Sequence, residues 1–139
     1  MEQFRMIDLP TLTLGEVTTW QEADQYAPYD DLDSYRTIQE RQELEQAINR
    51  CNLQYIGVGA RTSVVINHTI IPISTGGVWG IEDWLDNRND AYILEIEIEQ
   101  LRELKDLLAT LNPAIELTAV VEAMEEKQRQ RTKLQTAHR

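Results

Sequence analysis

Few residues in this chain have types and spacing that could do chemistry, and most chemistries are excluded by that spacing. His68 and His138 are the only histidines, and Cys51 is the only cysteine. Neither histidine stands at metal-ligand spacing from a Cys, Asp or Glu, and one cysteine cannot build a structural zinc site. Asp30-Asp31-Leu32-Asp33 is acidic enough for a weak calcium contact, but it lacks the glycine and terminal glutamate of an EF-hand loop. Gly57-Val58-Gly59-Ala60 has no third glycine and no helix after it, so it departs from a dinucleotide fingerprint. Ser74-Thr75-Gly76-Gly77 lacks the Gly-Lys-Ser/Thr of a phosphate loop. Cys51 has no base beside it in sequence and reads as a buried structural thiol. Carboxylates are so numerous that residue type alone singles out no acid–base pair. We therefore expect a non-enzymatic protein with no catalytic residue, no metal and no cofactor.

Recognition is a better match for the residues present. Trp84, with Glu82 and Asp83, follows the run Gly76-Gly77-Val78-Trp79-Gly80-Ile81, and an aromatic beside carboxylates can anchor a partner. Further on, Glu95, Glu99, Glu103 and Asp106 share one side of an amphipathic helix. Such a row could occupy a phosphate-binding groove as a nucleic-acid mimic; Arg102 and Lys105 dilute it, and a solvated helix face gives the same pattern. The alternative is a small-molecule or nucleotide site made from Gly57, Gly59, Arg61 and Ser74. Arg61 is the one formal charge between Cys51 and Ile81, and if buried it needs an anionic partner. The structural reading of the same glycines is that they ease strand coiling or admit a packed helix. Gly76, Gly77 and Gly80 read as a tight turn, with Trp79 plugging the core beside Val78 and Ile81.

The elements that must position these residues follow from periodicity. Ile56, Val58, Ala60, Val64 and Ile66 alternate with Tyr55, Gly57, Gly59, Arg61 and Ser63, which is the pattern of a half-buried strand. Asn67-His68 serves as a two-residue turn, because Asn tolerates positive φ. Ile66 then faces Thr69, Val64 faces Ile71 and Thr62 faces Ile73, while Pro72 confines the second strand to an edge. A thin apolar stripe predicts a helix over about 34–51, capped by Asp33 or Ser34. Asn89-Asp90 opens a helix over 90–111 in which Ile93, Leu94, Ile98, Leu101, Leu104, Leu108 and Leu111 share one arc. Asn112-Pro113 predicts a last helix over 113–130. The expected fold is α+β: a small antiparallel sheet on a central hairpin at about 53–75, packed by three helices. Thr11-Leu12-Thr13-Leu14 alternates as a short strand. Glu16 to Asp33 holds six acids and no base and reads as a loop or fraying helix, which a Tyr26/Tyr29 binding arm could use. This divides the chain into an acidic arm at 1–33, a domain at 34–130 and a basic, frayed tail at 131–139.

Charge then limits the partners. The net charge is −11, and residues 1–126 hold all 24 acids against 8 of the 13 bases. Such a surface repels nucleic acid and anionic membrane and attracts basic proteins, so we expect a protein partner, no membrane and no direct nucleic-acid binding. Homo-oligomerisation is left open. The N-terminus lacks a basic segment followed by an apolar core, and no apolar run approaches the roughly 18 residues of a membrane helix; with a lone cysteine, cytoplasm is the expected setting.

The motifs carry one resemblance. Tyr55-Ile56-Gly57-Val58, then Gly76-Gly77-Val78-Trp79-Gly80-Ile81-Glu82, then the acidic helix through Glu95 to Leu111, resemble uncharacterised small proteins of phages and other mobile elements. Asp83-Trp84-Leu85-Asp86 departs from the Ser-Asp-Ser-Asp usual there. The resemblance implies a host-cell setting and a host or defence protein as partner, with an inhibitory, anti-defence role; it implies no activity.

Overall fold

One long strand explains the architecture. In the computed structural model, which describes residues 12–25, 37–50, 52–86 and 88–137, Leu53–Ile66 runs as a strand of 14 residues that is buried over most of its length. β-branched and glycine residues alternate along it, so one face can fill a core and the other can accept close neighbours. We number the strands in chain order: β1 is Thr13–Leu14, β2 Thr18–Ala23, β3 Leu53–Ile66, β4 Thr69–Ser74 and β5 Val78–Trp84. Every other strand pairs with β3, antiparallel. β1 and β2 meet Val64–Val65 and Ile56–Arg61 along one side, and β4 and β5 meet Arg61–Ile66 and Leu53–Val58 along the other.

The hairpin has the expected register: Ile66 faces Thr69, Val64 faces Ile71 and Thr62 faces Ile73. Asn67 and His68 both take positive φ, 49° and 69°, the mirror-image turn whose twist suits paired strands. Pro72 lies opposite Ser63, whose carbonyl accepts the Gly15 N–H on the β1 side at 2.8 Å. Ser63 therefore aims its polar groups at β1, and the Pro72 nitrogen points outward, where a missing N–H leaves no gap in the ladder.

Three helices are present among the described residues: α1 (Ile38–Asn49), α2 (Asp90–Leu111) and α3 (Thr118–Ala137). α2 and α3 cover the face carrying Ile56, Val58, Ala60 and Val64. Leu101, Leu104 and Leu108 pack there with Val120 and Ile115, and Ile93 and Ile96 pack with Ile56 and Ile81. α1 sits on the other face, where Leu44 covers Leu53 and Tyr55. The protein is thus a small α+β fold with a five-stranded antiparallel sheet, as its periodicity implied. No helix among the described residues is long and apolar enough to cross a membrane.

Several expectations are corrected. Thr18–Ala23 is a strand of the sheet rather than loop or fraying helix, so the acidic N-terminal region contributes to the domain instead of ending before it. Its outward residues carry the acids while Thr18, Thr19 and Trp20 supply β-propensity, and pairing with β3 decides the outcome. Val78–Trp84 is a paired strand with a bulge opposite Gly57, where a tight turn was expected. α1 begins after Thr37, whose Oγ1 accepts the Glu40 N–H at 3.1 Å, in place of Asp33 or Ser34. Asn112 Oδ1 takes the Ala114 N–H at 2.9 Å in a separate turn that buries Ile115, so the last helix starts at Thr118 rather than Pro113. That helix continues to Ala137: Arg131 reaches Glu95 at 3.8 Å, and Leu134 is half-buried, so 131–137 is no frayed tail. Leu111, expected in the apolar arc, is exposed at the end of α2. Cys51, His138, Asp30–Asp33, Tyr26 and Tyr29 lie outside the described residues.

Candidate interaction face

The face of β3 turned away from α2 and α3 carries Gly57 and Gly59, and two tryptophans occupy the space their missing side chains leave. A Cβ on Gly57 would overlap the six-membered ring of Trp79, and one on Gly59 would overlap the Trp20 indole. Gly77, at φ 81°, also lies under Trp20. The two indoles meet at 5.5 Å between centroids with a 44° tilt, an attractive aromatic geometry. Hydrogen bonds fix both: Trp20 Nε1 donates to Ser74 Oγ at 3.1 Å, and Trp79 Nε1 donates to the Gly76 carbonyl at 2.8 Å. Gly80 at φ 75° forms the bulge that swings Trp79 over the sheet, and its N–H donates to Asp24 Oδ2 at 2.9 Å.

Trp79 is therefore no core plug. It leaves 47% of its surface in solvent, and Val78 beside it is exposed too; Ile81 alone of that trio is buried. The strand alternation puts Trp84 and Glu82 on this same face, and Trp84 Nε1 donates to Glu82 Oε2 at 3.1 Å. Trp84 is 36% exposed. Glu22 is opposite Gly57 in the β2 register, so its side chain leaves the sheet on the face that Trp79 covers. The result is a strip of three indoles with Glu22, Asp24 and Glu82 along it.

The other residues singled out from sequence fall elsewhere. Asp83 points the opposite way from Glu82 and Trp84. It is 2% exposed and accepts from Gln54 Nε2 at 2.7 Å and from Arg88 Nε at 2.9 Å. Arg88 also donates to Gln21 Oε1 at 3.2 Å, so this network ties β2, β3 and β5 to the start of α2 and leaves Asp83 unable to meet a partner. Glu95, Glu99, Glu103 and Asp106 are all exposed on α2, across the sheet from the tryptophans, so the row and Trp84 cannot form one site. Two of the four already have partners, Glu95 with Arg131 and Glu103 with Gln100 Nε2 at 3.1 Å. The alternative ligand site is filled by protein: Trp79 lies over Gly57, Trp20 lies over Gly59 and holds Ser74, and Arg61 is exposed beyond them. Gly76 meets nothing a Cβ would disturb, whereas Gly77 and Gly80 need their positive φ.

Trp20 and Glu22 were missed in the sequence because the acids around them hid the strand. The alternation of Thr18, Trp20 and Glu22 against Thr19, Gln21 and Ala23 was the available signal. Glu97 was missed as well. It is buried within α2, accepts from Thr19 Oγ1 and pairs with Lys127 Nζ at 3.2 Å, linking β2, α2 and α3. A cleft of about 540 Å³ opens nearby, between Gln21, Arg88 and Glu97 and the Lys133–Ala137 end of α3. Its size suits a small ligand, but Arg88 and Glu97 are already paired within the protein. No metal-binding group of three or more His, Cys, Asp or Glu occurs among the described residues. No protein-family model matches the chain, and neither a curated protein nor a solved structure matches it significantly.

Proposed function

We propose that this protein is a small acidic interaction module that binds a partner protein through the indole strip on the sheet face opposite α2 and α3. One observation carries the reading: Trp79 and Trp84 are held by hydrogen bonds yet remain substantially exposed. Rigid, partly solvated tryptophans are the side chains that most often dominate binding energy, because they bury large area with little loss of rotamer freedom. The net charge of −11 adds attraction for a partner that is basic around an apolar centre. The resemblance to phage and mobile-element proteins makes a host or defence protein in the cytoplasm the first candidate, with inhibition as the consequence. The helix carboxylates Glu95, Glu99, Glu103 and Asp106 contribute long-range attraction here, and mimicry of nucleic acid by that row is the second form of the same reading.

The test is affinity capture from host lysate with the native chain, Trp79→Ala, Trp84→Ala and a Glu99→Gln/Glu103→Gln double variant. The indole-face reading expects a partner that both tryptophan variants lose and the helix variant keeps. The reverse pattern would move the site to α2 and establish the mimic. A nucleotide panel in a thermal-shift assay covers the small-molecule reading, since a ligand specific for the folded state raises the melting temperature.

A further inference from the structure

The indole strip has one corner with a sharper chemistry than the rest. Trp20 and Glu22 lie two residues apart on β2, so their side chains leave the same side of the sheet. Glu22 pairs across with Gly57, the residue whose empty side-chain space Trp79 occupies. Glu22 therefore leaves the sheet on the face that carries the two touching indole rings, whose centroids are 5.5 Å apart, next to the position that Trp79 covers. Glu22 is exposed, and no hydrogen bond or ion pair to a described residue holds it. Its two strand neighbours on that side differ in this respect: the Trp20 N–H is committed to Ser74, and Asp24 already accepts the Gly80 N–H.

We infer that this corner receives a cationic side chain, an arginine or lysine of the partner, with its charge on Glu22 and its flat or methylene surface on Trp79 and Trp20. This deepens the proposed function and rests on it. A cation over an indole is attracted by the ring's quadrupole, and a carboxylate in the same plane of approach adds direct pairing. Arginine suits the geometry better than lysine, because its planar guanidinium can stack on a ring while presenting two N–H groups to one carboxylate. Glycine at 57 and 59 is what lowers both rings onto the sheet; Trp79 keeps 47% of its surface in solvent, and Trp20 is half-buried beside it. An anionic or purely apolar side chain would leave Glu22 against an unfavourable neighbour, so the corner also rejects the wrong partners.

Three tryptophans give three indole N–H resonances, which makes the corner directly observable. The full chain is titrated with the blocked peptide Ac-Gly-Arg-Gly-Arg-Gly-NH2 and with its citrulline counterpart, which keeps the shape and removes the charge. The arginine peptide should shift the Trp20 and Trp79 indole signals saturably, while Trp84 moves less. The citrulline peptide should be weaker by about fivefold or more, and Glu22→Gln should lose a similar factor with its melting temperature unchanged. Equal shifts from both peptides, or no shift of either indole at millimolar peptide, would overturn the inference. Partner capture separates it from the wider reading. If Glu22→Gln retains the partner at full affinity while Trp79→Ala loses it, the face binds and the cation corner is wrong; if neither variant changes capture, the face itself is wrong.

Discussion

A methyl group added at Gly57 has nowhere to go, because the Trp79 ring already fills that volume. Gly57→Ala should therefore push Trp79 off the sheet and destabilise the fold by about 1–3 kcal/mol, the range for overpacking a well-filled site. Urea denaturation measures the loss, and near-ultraviolet circular dichroism should report the altered indole pair. Gly76→Ala, by contrast, meets no neighbouring atom and should change stability little. Asp83 supplies a second residue-scale prediction. Removing its carboxylate in Asp83→Ala leaves Gln54 and Arg88 without their acceptor, and the protein should lose about 2–3 kcal/mol by the same urea measurement. Arg88 is partly exposed and can return to water, which keeps the loss below that of a fully buried pair. Both residues were visible in sequence, but the neighbour each one meets was not. Gly57 read as easing strand coiling or admitting a packed helix, with a ligand as the alternative, and the tenant proved to be a tryptophan 22 positions later. Asp83 looked like a surface acid because its neighbours are, and only the strand parity of β5 turns it inward.

Among the elements, α3 departs most from its sequence signal. Its second half is almost wholly polar, which reads as a fraying tail, yet it stays helical to Ala137 beside α2 and β2. Ending the chain after Gln130 removes the half-buried Leu134 and the Arg131–Glu95 contact. The expected result is a fall in melting temperature of a few degrees, equivalent to about 1 kcal/mol for a domain of this size. An unchanged melting curve would mean that the segment is dispensable. Nearer the middle of the same helix, hydrogen bonds from Arg129 hold the Glu126 carboxyl below its ordinary range. A group lowered in this way favours the folded helix above the usual carboxylate pKa, and that contribution disappears as pH falls through the lowered value. The central hairpin was the opposite case. Its register, its turn and the edge position of Pro72 followed from period-2 alternation with Asn67-His68 between the strands, since burial of one face admits only one pairing. β2 was hidden for the complementary reason: six residues with two acids or amides among them carry too little alternation to be seen without β3 beside them.

The whole molecule divides its work between the two faces of one sheet. The α2 and α3 side holds most of the core and the partly buried ion pair between Glu97 and Lys127, while the other side carries α1 at one end and indoles along the middle. Charge is spread over both, so a partner should be attracted from any direction and gripped on one. Binding should accordingly weaken several-fold between low and physiological salt, mostly through slower association, because rim charges steer encounter more than they hold the complex. The measurement that tests the account most directly is the affinity of a captured partner for three chains, by titration calorimetry at fixed salt. Trp79→Ala should weaken binding by tenfold or more, as loss of a central aromatic anchor does, while the Glu99→Gln/Glu103→Gln chain stays within about threefold of the native one. A native-like affinity for Trp79→Ala together with a large loss in the helix variant would contradict the account and place the site on α2.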